Sequence, residues 1–212
     1  MNTFIKLSVS LVALLVSMVA HAEMAVVNTV SKVDGAVSGF ICTDGSYSQS
    51  PDCDVQTILY PIAGNVYAPV VDPRTGETLD TMKTIGSIEA TVKFPASFFG
   101  LLAGPMQDLG ASLPWSCDDC LLKFKNGSVF QRIDDMPMTG RAFTGLGPVE
   151  DPATTGTLSL RMAGCVGIKE ISGTGSYANK VGTLCLNGTF RFDQNFNGQG
   201  NSNCSLVLHD PI

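Results

Sequence analysis

The sequence predicts an all-β protein: a single antiparallel barrel or sandwich, with one or two short helices near residues 96–113, stabilised by disulfide bonds. Three observations lead to this prediction. Short apolar or alternating runs recur between Gly, Pro, Asn and Asp residues, and two Asn-Gly pairs stand between such runs. Seven cysteines follow an N-terminal segment that is typical of exported proteins.

The strands are predicted from period-two alternation. Ile88–Phe94 and Thr189–Asp193 alternate apolar and polar residues, so one face of each strand meets a core and the other faces water. Further runs bounded by turn residues are Ala25–Val33, Val55–Tyr60, Leu121–Phe124, Val129–Ile133, Thr157–Met162, Val166–Ile171, Thr183–Leu186 and Ser205–His209. This many short strands joined by turns favours one β-domain.

The two Asn-Gly pairs are the turn signals of the chain. Asn126-Gly127 lies between two apolar runs and predicts a β-hairpin, because both residues tolerate the positive φ of a type I′ turn. Asn187-Gly188 predicts either a second hairpin or a bulge inside one longer strand. The segment 96–113 is the one stretch that suggests helix, kept short by its glycines.

Residues 1–22 have the pattern of a signal peptide. Lys6 precedes a mostly apolar stretch, and Ala20 and Ala22 supply the small residues at the cleavage site. The apolar stretch is shorter than the roughly 20 residues that span a bilayer. We therefore expect a single secreted β-rich domain over 23–212, located in the periplasm or the medium, with no membrane span.

The cysteines fit an oxidising compartment. Spacing predicts that Cys42 pairs with Cys53 across a Gly/Ser/Pro/Asp loop and that Cys117 can close on Cys120. Two of the remaining three are expected to join neighbouring strands, and these three are Cys165, Cys185 and Cys204. The odd cysteine is either free or links two chains, so a homodimer, covalent or non-covalent, stays open.

Charge and histidine content exclude several functions. The formal net charge is −6, whereas nucleic-acid binding demands a basic surface. His209 is the one histidine beyond the predicted signal peptide, which leaves no zinc-protease motif and no serine-hydrolase elbow. Between Cys117 and Cys120 stand two aspartates, which would raise a thiol pKa, so this CxxC favours a structural disulfide over redox chemistry.

One loop resembles the start of a calcium-binding site. Asp193, Asn195 and Asn197 place oxygen ligands at alternate positions, and Gly198 follows them. The twelfth position of such a loop holds a glutamate, but here it is Cys204. The segment is interpreted either as a weak calcium site or as an ordinary Gly/Asn-rich hairpin loop. The hairpin loop is the simpler interpretation. No other cofactor is expected.

The segment Gly173–Leu184 reads Gly-Thr-Gly-Ser-Tyr-Ala-Asn-Lys-Val-Gly-Thr-Leu. It resembles the Gly-rich turn of allene-oxide-cyclase and dirigent-type β-barrels, in which one aromatic residue accompanies the glycines. This resemblance implies an eight-stranded antiparallel barrel whose mouth binds a small apolar molecule, and it assigns no catalytic residue. From the residues themselves we expect Gly173 and Gly175 to form tight turns and Tyr177 to pack inward.

Three functional hypotheses follow. The first is an exported, non-enzymatic β-domain that acts as a binding or envelope-associated module. The second is a small-apolar-molecule-binding or isomerase-like β-barrel, and the third a weak calcium binder. For the second hypothesis the candidate ligand-binding residues, which would equally suit a core plug at a barrel end, are Phe98, Phe99, Leu101, Leu102 and Tyr177. The ligand, the partner and the biological role do not follow from the sequence.

Overall fold

The computed structural model describes residues 24–98, 112–133, 138–144, 157–193, 195 and 197–211. The elements of these residues are all β-strands, joined into one 12-stranded sheet. The strands are β1 (Ala25–Gly35), β2 (Gly39–Cys42), β3 (Tyr47–Ser48), β4 (Val55–Val71), β5 (Thr78–Pro95), β6 (Ser112–Cys117), β7 (Leu121–Phe124), β8 (Val129–Arg132), β9 (Met138–Thr144), β10 (Thr157–Glu170), β11 (Val181–Asp193) and β12 (Gly198–His209). The predicted all-β antiparallel fold is confirmed.

The sheet closes on itself. Strands β5, β4, β1, β12, β11 and β10 pair in that order, and the space between β5 and β10 is bridged twice. The hairpin β7–β8 bridges it near one end and the pair β6–β9 near the other. β6 and β7 both pair with β5 and share one strand position of the sheet, and β8 and β9 both pair with β10 and share another. The closed barrel therefore has eight strand positions. Closure removes the unpaired edges that a sandwich would leave.

The two ends of the barrel can be told apart by the strand register. At the end called here the upper rim, β1 ends at Gly35, β5 ends at Pro95 and β12 begins at Gly198. At the lower rim lie the hairpin β7–β8 and the turn 171–180. Beyond the lower rim, β4 and β5 continue past their other neighbours as a two-stranded extension that is largely exposed.

The interior of the barrel is the core. Along β12 every second residue is buried, from Gly198 to Leu208, as expected for a strand with one face inward. Large rings stand opposite small residues: a Cβ added to Gly200 would lie 2.3 Å from the Phe190 ring. Close-packed interiors need this pairing of large and small side chains.

The two Asn-Gly pairs have different structures. Asn126-Gly127 forms the turn between β7 and β8, with Gly127 at a φ of 94°, and this hairpin prediction is confirmed. Asn187-Gly188 lies inside β11, whose pairing with β10 and β12 runs through it without a register shift. Neither the hairpin nor the bulge predicted there forms, because Gly188 packs against Ser202 inside the barrel.

The helical segment predicted near 96–113 falls largely outside the described residues. Ala96 and Ser97 form a turn after β5, and Phe98 is the last described residue before the gap. The description resumes at Ser112 in β6. Because residues 99–111 are not described, the helix expected in this segment stays a prediction.

Three disulfides pair six of the seven cysteines. Cys42 bonds to Cys53, Cys117 to Cys120, and Cys165 to Cys185, which face each other across β10 and β11. Cys204 is the odd cysteine, and it is buried inside the barrel. Its burial argues against the covalent homodimer predicted through the odd cysteine, because a buried thiol cannot reach a second chain.

We expect a thiol reagent to count one cysteine per unfolded chain and none in the folded protein. The reason is the burial of Cys204, which contacts the hydroxyls of Ser31 and Ser202 at 3.8 and 3.5 Å. The measurement is a chromogenic disulfide titration of unreduced protein with and without denaturant. Rapid reaction of the native protein, or more than one thiol on unfolding, would contradict this arrangement.

The disulfides are compatible with a protein outside the cytoplasm, where oxidation persists. The predicted signal peptide, 1–22, lies outside the described residues. Within the part of the chain that the structure describes, no helix has the length and apolarity needed to cross a membrane.

Candidate functional site

A break in the sheet at the upper rim is the most distinctive feature of the barrel wall. Strands β5 and β6 pair only at Val92 with Cys117 and at Lys93 with Ser116 within the described residues. Continuing this register would place Pro95 opposite Pro114. Proline has no amide hydrogen and contributes no ladder hydrogen bond, so the strands separate here.

A cleft of about 700 Å³ opens at this break. Two of its lining residues, Phe94 and Trp115, are buried residues of the barrel core and form its apolar floor. The other described lining residues surround the floor and are largely polar or proline: Gln56, Thr57, Lys93, Pro95, Pro114, Ser116, Thr139, Gly140 and Arg141. The volume lies within the roughly 300–1,000 Å³ of small-molecule sites.

Trp115 is held by two glycines on the neighbouring strands. A Cβ added to Gly140 would lie 2.5 Å from Cε2 of the indole, and one added to Gly164 would lie 2.7 Å from Cζ2. The backbone of β9 and β10 therefore approaches the indole more closely than any other residue type would allow. This contact fixes the position of the ring.

The indole nitrogen of Trp115 is an unsatisfied donor. The residue is 3% exposed, and Nε1 is buried with no hydrogen-bond partner among the described residues. A buried donor without an acceptor costs roughly 1–3 kcal/mol. This unpartnered donor belongs to a residue that lines the cleft, and an acceptor would have to displace the packing around the indole to reach it.

The two charged side chains among the described lining residues of the cleft, Lys93 and Arg141, are cationic. Lys93 forms an ion pair with Asp118, whose backbone carbonyl also accepts a hydrogen bond from Nε of Arg132. The Cys117–Cys120 disulfide closes the short connection that carries Asp118. Arg141, on the far side of β6 from Lys93, is exposed. The described lining of the cleft contains no carboxylate.

Phe98, a predicted ligand-binding residue, lies behind the floor of the cleft. It is fully buried, stacks on Phe94 with ring centroids 4.5 Å apart, and meets Phe192 edge-on at 5.2 Å. Tyr60 completes the group, edge-on to Phe192 at 5.3 Å. Phe98 therefore supports a residue of the cleft floor. The other predicted residues of that segment, Phe99, Leu101 and Leu102, lie outside the described residues.

Tyr177, the fifth predicted ligand-binding residue, lies at the opposite end of the barrel. It is partly buried and packs against Phe124 and Phe130 at the lower rim, with ring centroids 5.9 and 6.2 Å away. The structure thus places Tyr177 inward, as expected of an aromatic anchor. It does not bring Tyr177 together with Phe98.

The Gly-rich turn that carries Tyr177 is organised by one carboxylate. Glu170 accepts hydrogen bonds from the Ser172 hydroxyl and from the amides of Val129, Ser172 and Gly173. Gly173 and Gly175 adopt φ values of 65° and 80°, which glycine tolerates best. Desolvation acts to raise the pKa of Glu170, but the hydrogen bonds outweigh it and lower this pKa to about 2.

We expect the Glu170→Gln variant to be about 1 kcal/mol less stable than the wild type at neutral pH, a value reduced for solvent screening. Because folding lowers the pKa of Glu170, its contribution is complete above the unfolded pKa near 4.5. It is lost as the pH falls towards 2. Melting temperatures from pH 7 to 2 should therefore converge for the two proteins at the acid end. A constant difference across this range would contradict the assignment.

The residues of the predicted calcium loop form a hydrogen-bonded hairpin turn. Asp193 accepts hydrogen bonds from the amides of Asn195 and Asn197 at 2.8 Å, and from Nδ2 of Asn197 at 3.0 Å. These bonds, led by the Asn197 side chain, lower the pKa of Asp193. Within the described residues no group of three His, Cys, Asp or Glu side chains suits a metal ion. Calcium binding by the Asp193 and Asn oxygens stays a prediction.

Trp115 is not among the residues that the sequence analysis predicts to bind a ligand. The missed signal is the pair Pro95 and Pro114, which flank the undescribed segment 99–111 and stop the ladder from both strands. The two small residues that admit the indole, Gly140 and Gly164, could not be recognised without the register of β9 on β10.

Comparison with known proteins gives one similar structure. No protein-family model and no curated protein matches the chain. The similar structure is that of a nonspecific heme-binding cyclase that catalyses a 4 + 2 cycloaddition during neoabyssomicin biosynthesis. The sequence identity is 15% and the TM-score 0.38, and the match covers 89% of this chain and 65% of that one.

This finding corrects the first functional hypothesis. The non-enzymatic binding or envelope-associated module is overturned, because the similar β-protein is a ligand-binding enzyme. Its TM-score of 0.38 supports no further argument, so function is argued below from the geometry of this chain.

Proposed function

We propose that the protein is an exported β-barrel that binds a small, largely apolar molecule in the cleft between β5 and β6. The observation that supports this most directly is a cleft of about 700 Å³ whose lining includes Trp115, a residue with a buried indole nitrogen that lacks an acceptor among the described residues. An apolar molecule with one acceptor atom would cover Phe94 and Trp115 and accept a hydrogen bond from the indole.

The rigidity of the surroundings supports this proposal. Gly140 and Gly164 hold the indole from β9 and β10, and Phe98 stacks behind Phe94. A floor that is already in place loses little conformational freedom on binding, which favours affinity. The closed ladder with eight positions also agrees with what the resemblance to allene-oxide-cyclase and dirigent-type barrels implies, a barrel with a ligand at its mouth.

The proposal includes the cellular compartment of the protein. An N-terminal segment with Lys6, an apolar stretch and the Ala20 and Ala22 cleavage pattern would direct the chain to the periplasm or the medium. The three disulfides require an oxidising compartment for their formation, which agrees with this route.

The test uses Trp115 as a built-in probe, because it is the one tryptophan of the chain. We expect the neutral apolar dye N-phenyl-1-naphthylamine to quench Trp115 emission saturably and to gain sensitised emission through energy transfer. An unlabelled apolar ligand should reverse both signals by competition. The dye titration of folded protein, excited at the tryptophan band, is the measurement.

The variant Trp115→Phe keeps an apolar ring but removes the N–H donor. We expect it to bind an acceptor-bearing ligand about 2- to 12-fold more weakly by calorimetry, as for one lost hydrogen bond. The matched control is Tyr177→Phe, which also removes one polar group from an aromatic residue, but at the opposite rim. Dye binding without energy transfer from Trp115, or equal weakening by both variants, would refute a ligand site at the cleft.

A further inference from the structure

We propose that the molecule bound in this cleft carries one negative charge and that Arg141 binds it. This inference rests on the proposed function and specifies its ligand as a monoanionic, largely apolar molecule, such as a fused-ring or aryl carboxylate or sulfonate. The argument uses the charges at the cleft, their partners, and the side of the barrel wall on which they lie.

Two charged side chains line the described part of the cleft, Lys93 and Arg141, and both are cationic. Lys93 already has a partner in Asp118. Arg141 is exposed and forms no ion pair or side-chain hydrogen bond with any residue that the structure describes. Its guanidinium is therefore the cation that is available to a ligand, with several N–H donors in a planar fork suited to carboxylate and sulfonate.

Strand alternation separates the apolar floor from the charge. Phe94 is buried in the core while its neighbour Lys93 is only half-buried, and Gly140 meets the indole while its neighbour Arg141 is exposed. Successive side chains of a strand point to opposite faces. An amphipathic molecule could thus place its apolar part on Phe94 and Trp115 and its anionic group outward, beside Arg141.

The cationic lining of the cleft contrasts with the net negative charge of the whole chain. Asp and Glu number 19 against 13 Lys and Arg, so the protein as a whole repels anions. A cleft that took a neutral ligand would gain nothing from a cationic rim, whereas an anionic ligand needs one to approach this acidic surface. The described lining of the cleft, which has no carboxylate, meets that need.

The experiment compares two dyes that share one skeleton. N-Phenyl-1-naphthylamine is neutral, and 8-anilino-1-naphthalenesulfonate adds a single sulfonate to the same rings. Both are titrated against the full protein with Trp115 as the energy donor. At low salt we expect the sulfonate dye to bind at least fivefold more tightly, with an advantage that shrinks as salt is added.

Substitutions of two arginines test whether Arg141 causes the preference for the sulfonate dye. We expect Arg141→Gln to weaken the sulfonate dye five- to tenfold and to change the neutral dye by less than twofold, whereas Arg141→Lys restores part of the loss. The matched control is Arg161→Gln, an exposed arginine of β10 that does not line the cleft and donates to Oδ1 of Asn187. It should leave both dyes unchanged.

The outcomes separate this inference from the proposed function. If both dyes bind with equal affinity and Arg141→Gln changes neither, the anionic ligand is refuted while a neutral ligand site stands. The same holds if Arg161→Gln weakens the sulfonate dye as much as Arg141→Gln does, since the effect would then be one of net charge. If neither dye accepts energy from Trp115, the proposed function fails, and this inference fails with it.

Discussion

Replacing Phe98 by alanine is expected to lower the free energy of unfolding by about 3–5 kcal/mol, the range for a fully buried phenylalanine. Phe98 is 0% exposed and contacts Phe94 and Phe192 with its ring. Its loss would leave a cavity directly behind the floor of the cleft. The measurement is urea unfolding of the disulfide-intact protein, followed by far-UV circular dichroism and Trp115 emission.

The matched control is Met82→Ala, which truncates a large apolar residue that is 47% exposed on the β4–β5 extension. It should change stability by less than about 0.5 kcal/mol. The Phe98 result also distinguishes the two roles that the sequence predicts for this residue. A loss below about 1 kcal/mol, accompanied by weaker dye binding, would identify Phe98 as a ligand-lining residue and contradict the packing role assigned here.

The sequence predicts the strands well because the pattern that identifies them is local. Alternation in Ile88–Phe94 reappears as alternating burial along β5, and the Asn126-Gly127 turn forms between strands that follow each other directly. Positive φ at Gly127 is a property of the residue itself, so it needs no knowledge of the rest of the fold.

Asn187-Gly188 shows where local reasoning fails. The pair has the composition of a hairpin turn, yet β11 continues through it, paired with β10 on one side and β12 on the other. A Cβ on Gly188 would lie 2.4 Å from Cβ of Ser202, its partner on the adjacent strand, so this glycine serves a close approach between β11 and β12. Tertiary packing overrides the turn propensity here, and a single sequence does not contain the register that reveals it.

The cleft could not be predicted for a similar reason. Its residues come from β4, β5, β6 and β9, and the closed ladder alone brings Trp115, Gly140 and Lys93 to one opening. Pro95 and Pro114 signal the ends of strands in the sequence, but only their opposition across β5 and β6 makes them a break in the wall. Of the apolar residues predicted as a ligand site near 98–102, the structure describes Phe98 alone, which packs behind Phe94, and the ligand role of the segment stays a prediction.

The contact that positions Trp115 gives a further large effect: Gly140→Ala is expected to cost about 3 kcal/mol of stability or to prevent folding. The new Cβ would lie 2.1 Å from the carbonyl oxygen of Ala163 and 2.5 Å from the indole. The first of these atoms belongs to the backbone of β10, which cannot move away without breaking its pairing with β9. Urea unfolding and the Trp115 emission spectrum measure the effect.

Two comparisons test that explanation. In Gly76→Ala the new Cβ meets nothing within 4 Å, so this variant should cost only the roughly 1–2 kcal/mol of an alanine at positive φ. The double variant Gly140→Ala with Trp115→Leu removes the indole contact but keeps the contact with Ala163. We expect it to remain unstable, because the backbone oxygen is the harder obstacle. Recovery to the stability of Trp115→Leu alone would show that the indole, and not the strand spacing, requires glycine at position 140.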